Sequence, residues 1–303
     1  MFQKYSGKFS FTKRFIVFIL IAVLFCGAGI AGLIGEIFGA NMFNFDLDFA
    51  GGVSIEMELG VEVTRDVQSE IAEICRDAAG VSASVTTSGN SGTAVTVKTV
   101  ELSSEERQEI FDRTAERYGS GVSLISADYV SASVGSDLKR AAVISSLLAA
   151  VLILVYISIR FEFRSGLAAL ICLAHDLLVM LSFFVIFQIP MNMTFIAAAL
   201  TIIGYSINAT IVVFDRVREN YKAQGGGNFS EVVDRSIWQS MRRSLGTTFT
   251  TLLPVLFISI LGVSSIRVFS LPLLVGVIAG GYSSTCLAGP LWNAMQGKKA
   301  RVK

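Results

Sequence analysis

The chain has 303 residues, of which 52% are hydrophobic and only 16% charged, and its mean hydropathy is +0.63. Soluble globular chains carry roughly 25% charged residues, so this composition predicts a membrane protein with several spans. The net charge of +1 excludes a strong nucleic-acid-binding field. Four dispersed cysteines and a single histidine, His175, exclude a disulfide framework and a multi-histidine metal site, and we expect no cofactor.

The first predicted element is a transmembrane helix over residues 15–38. It follows a basic segment, residues 1–14, which includes Lys4, Lys8 and Arg14. The apolar run is too long for a signal-peptide core and has no clear small-residue cleavage site. We therefore expect an uncleaved span whose basic end is cytoplasmic.

Residues 39–137 are polar and contain no run long enough to cross a hydrocarbon core of about 30 Å. A glycine-rich turn, SGNSG at 88–92, and a capping box formed by Ser103 and Glu106 divide this region into elements. The order strand, helix, strand, strand, helix, strand is typical of a ferredoxin-like α+β domain, which we expect outside the cytoplasm. The predicted elements cover residues 53–57, 63–79, 81–87, 93–100, 103–118 and 122–130.

Five further apolar runs predict a bundle of six transmembrane helices with both termini on one side. Most arginine and lysine residues of the connecting segments, among them Arg164, Arg218 and Arg242, fall on the side of the N-terminus, which predicts that this side is cytoplasmic. Residues 230–244 are amphipathic, and we expect them to lie along the cytoplasmic surface. The predicted spans are 138–159, 166–189, 194–214, 246–263 and 268–295, followed by a cytoplasmic tail, 296–303.

The stretch AAALTIIGYSINATIVVFDRVREN, residues 197–220, carries polar side chains through an apolar helix. Asn208 and Ser206 are costly in hydrocarbon unless they face a helix or a watery cavity. The spacing of Gly204, Asn208 and Ile211 predicts one buried face inside a bundle, where the small Gly204 permits close backbone approach. The alternative is that these polar groups only join helices, without further function.

Asp176 and His175 lie near the middle of the third predicted span, where an ionisable residue is a candidate functional site. The open alternatives are a proton relay, an ion contact or a hydrogen-bonded structural pair. Adjacent residues point about 100° apart on a helix, so we expect that the two side chains cannot both face the same neighbour.

Arg243 lies at the start of the fifth predicted span. It is either a positive-inside anchor or an inward guanidinium paired with Asp215 or Asp176. Asp215 could equally belong to a solvated boundary.

The sequence DFAGG joins the first span to the outer domain, and includes Asp48, Gly51 and Gly52. It predicts either a turn into the first strand or a hinge. No serine-hydrolase, zinc-protease or phosphate-loop motif is present, so an enzyme is not expected.

Six segments resemble the SecF subunit family of the bacterial SecDF protein-translocation complex. The likeness covers nearly the whole chain in order and implies half of an RND-type helical bundle completed by SecD. The segments are DFAGG at 48–52, YISIRFEFR at 156–164, ALICLAHD at 169–176, GYSINATIVVFDRVREN at 204–220, RSIWQSMRRSLGTTFTTLL at 235–253 and LPLLVGVIAGGYSS at 271–284.

The resemblance implies an auxiliary subunit of the bacterial cytoplasmic membrane that uses a proton or sodium gradient to draw preproteins from the SecYEG channel. Its implied partners are SecD, SecYEG, exported preproteins and membrane lipids, with YajC as a further candidate. The alternatives are a non-conducting scaffold of the SecDF complex and an RND-type small-molecule exporter.

One departure bears on mechanism. Where the family commonly reads GYSxND, this chain has Ala209 in place of the acid usually assigned to ion coupling. Arg243 matches the family's functional arginine and would lack its nearest partner. SecD's own aspartate, Asp176 or Asp215 could then carry the coupling, or the subunit could act as a scaffold.

Overall fold

The structure is a computed structural model that describes residues 9–89, 92–119 and 121–296. Lys4, Lys8, the basic tail after Gln296 and the centre of the SGNSG turn therefore lie outside the described residues. In chain order the elements are α1 (Phe15–Ile37), α2 (Leu47–Ala50), β1 (Gly52–Glu58), α3 (Arg65–Ala79), β2 (Ser84–Ser88), β3 (Ala94–Thr99), α4 (Ser104–Tyr118), β4 (Ser123–Val130), α5 (Ala132–Arg160), α6 (Phe163–Phe187), α7 (Met193–Ala223), α8 (Phe229–Leu261), α9 (Ser264–Tyr282), a π-helical turn (Ser283–Leu287) and α10 (Ala288–Gln296).

The chain divides into two compact units. One contains the residues up to Asn44, Val143–Pro190 and the residues from Thr194 onward, and the other contains Phe45–Ala142 with Met191–Met193. Across the described residues, six helices are long and apolar enough to cross a membrane. They are α1, α5, α6, α7, α8 and the stretch from α9 through α10, so the expected helical membrane bundle is confirmed.

Close packing in the membrane unit depends on glycines. A Cβ built on Gly29 of α1 would lie 2.5 Å from the carbonyl oxygen of Leu178 and 2.8 Å from Ser182 Oγ, both on α6. The Gly29 N–H also donates to Ser182 Oγ at 2.7 Å. Only glycine lets these two helices approach so closely, because a side chain would displace the backbone of the neighbouring helix.

The predicted surface helix at 230–244 is wrong as a separate element. It is the first half of α8, which continues without a break into the fifth span. Its apolar residues are buried by this chain: Phe229 packs against Trp292 with ring centroids 5.3 Å apart, and Val233 and Ile237 are fully buried. The amphipathic face therefore contacts the chain's own core, whereas its periodicity alone predicts a helix along the cytoplasmic surface.

The first half of α8 also holds the segment that precedes α1. The Asp234 carboxylate accepts hydrogen bonds from Ser10 Oγ, at 2.5 Å, and from the Thr12 backbone N–H and hydroxyl, each at 2.9 Å. The Trp238 indole N–H donates to the Phe9 carbonyl at 3.1 Å. These bonds fix residues 9–12 on the side of α8.

The second unit contains a four-stranded antiparallel sheet in the order β2-β3-β1-β4. The alternation in β1 places Val53, Ile55 and Met57 in the core, as the sequence predicts. Ile71 of α3 and Ile110 of α4 complete the core on one side of the sheet. The fold class is thus a helical membrane bundle with a separate small sheet domain.

The predicted capping box of α4 is confirmed. Ser103 Oγ accepts from the Glu106 N–H at 3.2 Å, and the Glu106 carboxylate accepts from the Ser103 N–H at 2.8 Å. That second bond lowers the pKa of the Glu106 carboxyl below its ordinary value. Because the pKa of Glu106 is lower in the folded state, this carboxylate contributes to folding stability above its ordinary pKa. That contribution is lost as pH falls through the lowered value.

We expect Ser103→Ala to destabilise α4 by about 1 kcal/mol, because the first-turn N–H of Glu106 loses its acceptor. Hydrogen exchange of the α4 amides in the full chain measures the effect. Ser69→Ala is the control, since the Ser69 hydroxyl only donates to the Arg65 carbonyl within α3. Equal protection in both variants would contradict the role of the cap.

Candidate functional site

Asp176 lies midway along α6 and is completely buried. Its Oδ2 accepts hydrogen bonds from Ser206 Oγ of α7, at 2.5 Å, and from Ser283 Oγ of the π-helical turn, at 2.9 Å. Its Oδ1 lies 2.9 Å from Nδ1 of His175. The carboxylate thus has three hydrogen-bonding groups from three elements, which is what stabilises a buried charge where water is absent.

The contribution of Ser283 to this cluster depends on the π-helical turn in the last membrane-length helix. The π-helical turn begins at Ser283 and directs that hydroxyl toward Asp176. Just before it, a Cβ on Gly280 would lie 3.3 Å from the Ser206 Cβ and 3.6 Å from Asp176 Oδ2. The absence of a side chain at Gly280 therefore lets the last helix approach the cluster. Single π-helical turns occur frequently at functional sites.

His175 is buried and bonds directly to the neighbouring Asp176. The two side chains therefore contact each other, an arrangement that the prediction about a shared neighbour did not include. A neutral imidazole that donates from Nδ1 carries its lone pair on Nε2, and Nε2 has no partner among the described residues. The His175 ring lies 5.7 Å from the Tyr282 ring. Imidazole and carboxylate both exchange protons, so the pair has the chemistry of a proton-accepting site.

The predicted buried face of α7 is wrong for this chain's own bundle. Gly204 and Asn208 are exposed, Ile211 is half-buried, and a Cβ on Gly204 would meet no atom within 4 Å. The face that packs inward instead carries Ser206 and Thr210, both fully buried. Periodicity shows which residues share a face but not which face contacts helices of the same chain.

Arg243 pairs with neither of its predicted partners. Across the part of the chain that the structure describes, the ion pairs include none with Arg243 or with Asp215, and both residues are exposed. Arg243 lines a small cavity between α7 and α8 beside Ala209 and Asn208. Asp176 and Arg243 thus belong to two separate places in the membrane unit.

In the DFAGG segment, the glycines are required by geometry. Gly51 has φ +74° and Gly52 has φ +119°, and a Cβ on Gly52 would lie 2.2 Å from the Thr99 carbonyl oxygen. These conformations and this close approach admit only glycine. Asp48 Oδ2 accepts from the Met193 N–H at 2.8 Å, which fixes the first residue of α7.

Sequence reasoning missed Ser283 and Tyr282 as members of the Asp176 cluster. The available signal was the polar sequence GYSS, residues 281–284, in the middle of the last apolar run. Hydroxyl groups in such a run are candidates for contacts between helices.

Comparison with protein families identifies one matching description, "Protein export membrane protein SecD/SecF, C-terminal", over residues 110–298. Protein translocase subunit SecF of Sebaldella termitidis is 38% identical over 250 residues, which cover 82% of this chain and 81% of that protein. Protein translocase subunit SecF of Acidaminococcus fermentans is 35% identical over 301 residues, covering 97% and 99%.

Fused relatives are also similar to the chain. Protein translocase subunit SecDF of Bacillus subtilis is 35% identical over 299 residues, covering 97% of this chain and 39% of that protein. The crystal structure of SecDF from Thermus thermophilus, described as a translocon-associated membrane protein, matches with a TM-score of 0.83 at 30% identity. That match covers 96% of this chain and 39% of the other, so the chain spans about two fifths of the fused proteins.

Proposed function

The chain belongs to the SecF family of protein translocase subunits, and we propose that it couples the ion-motive force across the cytoplasmic membrane to late steps of preprotein export. Its general role as an auxiliary subunit of Sec protein export follows from the family. Association with SecD follows from relatives in which both subunits form one chain. The relatives are named as translocase subunits, which gives no support to an enzyme or a small-molecule exporter.

The observation that carries the coupling proposal is the buried Asp176. Burying a carboxylate at the middle of a membrane helix costs free energy, and such residues typically lie on ion or proton pathways. Its three hydrogen-bonding groups come from different parts of the chain, so a change of protonation alters contacts among α6, α7 and the π-helical turn. Ala209 cannot take a proton through its side chain, and we therefore assign the protonatable centre to Asp176 with His175.

The exposed polar face of α7 supports SecD as the companion of this bundle. Asn208 and Gly204 are exposed in a helix of membrane-spanning length, where a polar amide facing lipid would be costly. A second helical bundle placed against this face would enclose both residues. We accordingly propose that the chain supplies half of an RND-type bundle.

We further propose that residues 39–137 form a ferredoxin-like domain outside the cytoplasm, and that both termini are cytoplasmic. The element order and the strand order β2-β3-β1-β4 support the first proposal. The concentration of basic residues on one side of the membrane supports the second. SecYEG, exported preproteins, membrane lipids and YajC are the partners that this placement allows.

The test is preprotein release from spheroplasts that contain or lack the chain, with the ion gradient intact or collapsed by an ionophore. We expect the chain to accelerate release only while the gradient is intact. A scaffold without ion coupling, the alternative that Ala209 favours, would accelerate release equally under both conditions. No effect of the chain under either condition would contradict the export role.

Placing an acidic residue at position 209 tests whether Asp176 is the protonatable centre. We expect Ala209→Asp to change gradient-dependent release by less than about twofold, because Asp176 already supplies the protonatable group; Ala209→Asn controls for side-chain volume. A large gain with aspartate alone would show that coupling is lost at position 209 and would overturn the role of Asp176.

A further inference from the structure

A cavity of about 40 Å³ lies between α7 and α8 in the membrane unit. The α7 residues that line it recur at helical spacing, so they form one stripe that faces α8. Such a volume accommodates one or two species of about the size of water. The cavity is lined by Tyr205, Asn208, Ala209, Val212, Arg243, Ser244 and Thr247.

Hydrogen bonds on either side of the cavity fix how the two helices face each other. Tyr205 Oη donates to Thr248 Oγ1 at 3.2 Å, and Arg216 Nε donates to Gln239 Oε1 at 2.6 Å. The helices are antiparallel, so the position of Ala209 falls opposite the turn of α8 just before the predicted fifth span, where Arg243 lies. The methyl group of Ala209 leaves space there that a carboxylate would fill.

The cavity carries an uncompensated positive charge. Among the described residues, Arg243 makes no ion pair and no hydrogen bond from its guanidinium, and none of the lining residues is acidic. The buried carboxylate of the unit, Asp176, is already engaged by His175 and two serine hydroxyls. An unpaired guanidinium attracts a counter-charge, because opposite charges a few ångströms apart interact favourably.

Hydrogen-bond donors remain free around this charge. Ser244 is 6% exposed, and its Oγ has no partner within residues 9–89, 92–119 and 121–296. The Asn208 amide likewise makes no hydrogen bond to the described residues. Thr247, by contrast, donates to the carbonyl oxygens of Arg243 and Ser244. The guanidinium, an amide and a hydroxyl are the groups that bind anions in proteins.

We propose that this cavity binds one small monovalent anion of the halide class, chloride under physiological conditions, which neutralises Arg243 where the chain has alanine at position 209. The small volume favours a compact anion over a larger oxyanion such as sulfate. The bound anion supplies a fixed negative charge between α7 and α8 without a titratable group. This inference does not rest on the coupling role of Asp176.

The test uses the purified full-length chain in lipid nanodiscs, alone and in complex with SecD, at constant ionic strength. We expect the thermal unfolding midpoint to rise by several degrees, saturably, as chloride replaces gluconate. Bromide should act like chloride, and sulfate should not. In crystals containing bromide, an anomalous peak should lie in contact with the Arg243 guanidinium.

Two variants make the test specific. Ala209→Asp should remove the halide dependence, because its carboxylate occupies the cavity and neutralises Arg243. Arg242→Gln, which removes the adjacent arginine that does not line the cavity, should retain the dependence in full. The proposal is overturned by an absence of halide dependence, by equal dependence in Ala209→Asp, or by loss of the dependence on addition of SecD, which would identify a SecD carboxylate as the partner of Arg243.

Discussion

Asp176→Asn is expected to reduce gradient-driven preprotein release to the level measured with the ion gradient collapsed. Asparagine has nearly the same shape as aspartate but cannot take up or release a proton. In the wild type the Ser206 and Ser283 hydroxyls donate to the carboxylate. In the variant they can rotate and accept from the asparagine amide, so both hydrogen bonds are kept with donor and acceptor exchanged. The fold should therefore survive, because asparagine removes a buried charge while keeping the size and the hydrogen-bonding capacity of the side chain.

The measurement is release of a preprotein from spheroplasts, compared with an ionophore-treated wild type. Asp215→Asn is the matched control, because it removes a carboxylate that is exposed and makes no ion pair among the described residues. It should retain full gradient dependence. Thermal unfolding of both variants identifies any loss through misfolding, and full gradient-driven release by a folded Asp176→Asn protein would refute the assignment.

Gly29→Ile should separate α1 from α6 and destabilise the membrane unit by about 3 kcal/mol. The added Cβ would overlap the backbone carbonyl of Leu178, which cannot rotate away as a flexible side chain could. The hydrogen bond from the Gly29 N–H to Ser182 Oγ would be lost as the helices move apart. The expected result is a large loss of folded protein in detergent.

Gly27→Ile is a closely matched control for this change. It lies two residues earlier in α1, and a Cβ at that position meets no atom within 4 Å. Helix propensity and added hydrophobicity are the same in the two variants, so a difference in unfolding midpoint isolates the close contact with α6. Similar midpoints would show that α1 and α6 tolerate a wider separation.

The parts of the fold that depend on local pattern are predictable from the sequence. The apolar runs predict the six membrane-length helices found within the described residues, the capping box of Ser103 and Glu106 marks the start of α4, and alternation in β1 identifies its buried face. Each of these signals lies within a few residues, where periodicity and capping chemistry act directly.

The Asp176 cluster could be predicted only in part, because its members are distant in sequence. Ser283 lies 107 residues from Asp176, and the π-helical turn that brings it into range has no distinct sequence signal. The orientation of α7 also could not be predicted from the sequence, because the helix has one polar stripe with Asn208 and another with Ser206. Which stripe packs within the chain depends on the helices around it.

The continuity of α8 has a mechanical consequence. At about 1.5 Å per residue, its 33 residues form a rod of roughly 50 Å, anchored near one end by Asp234 and carrying Arg243 further along. Because no break separates Asp234 from Arg243 along this helix, a displacement of the half that Asp234 anchors would be carried directly to Arg243.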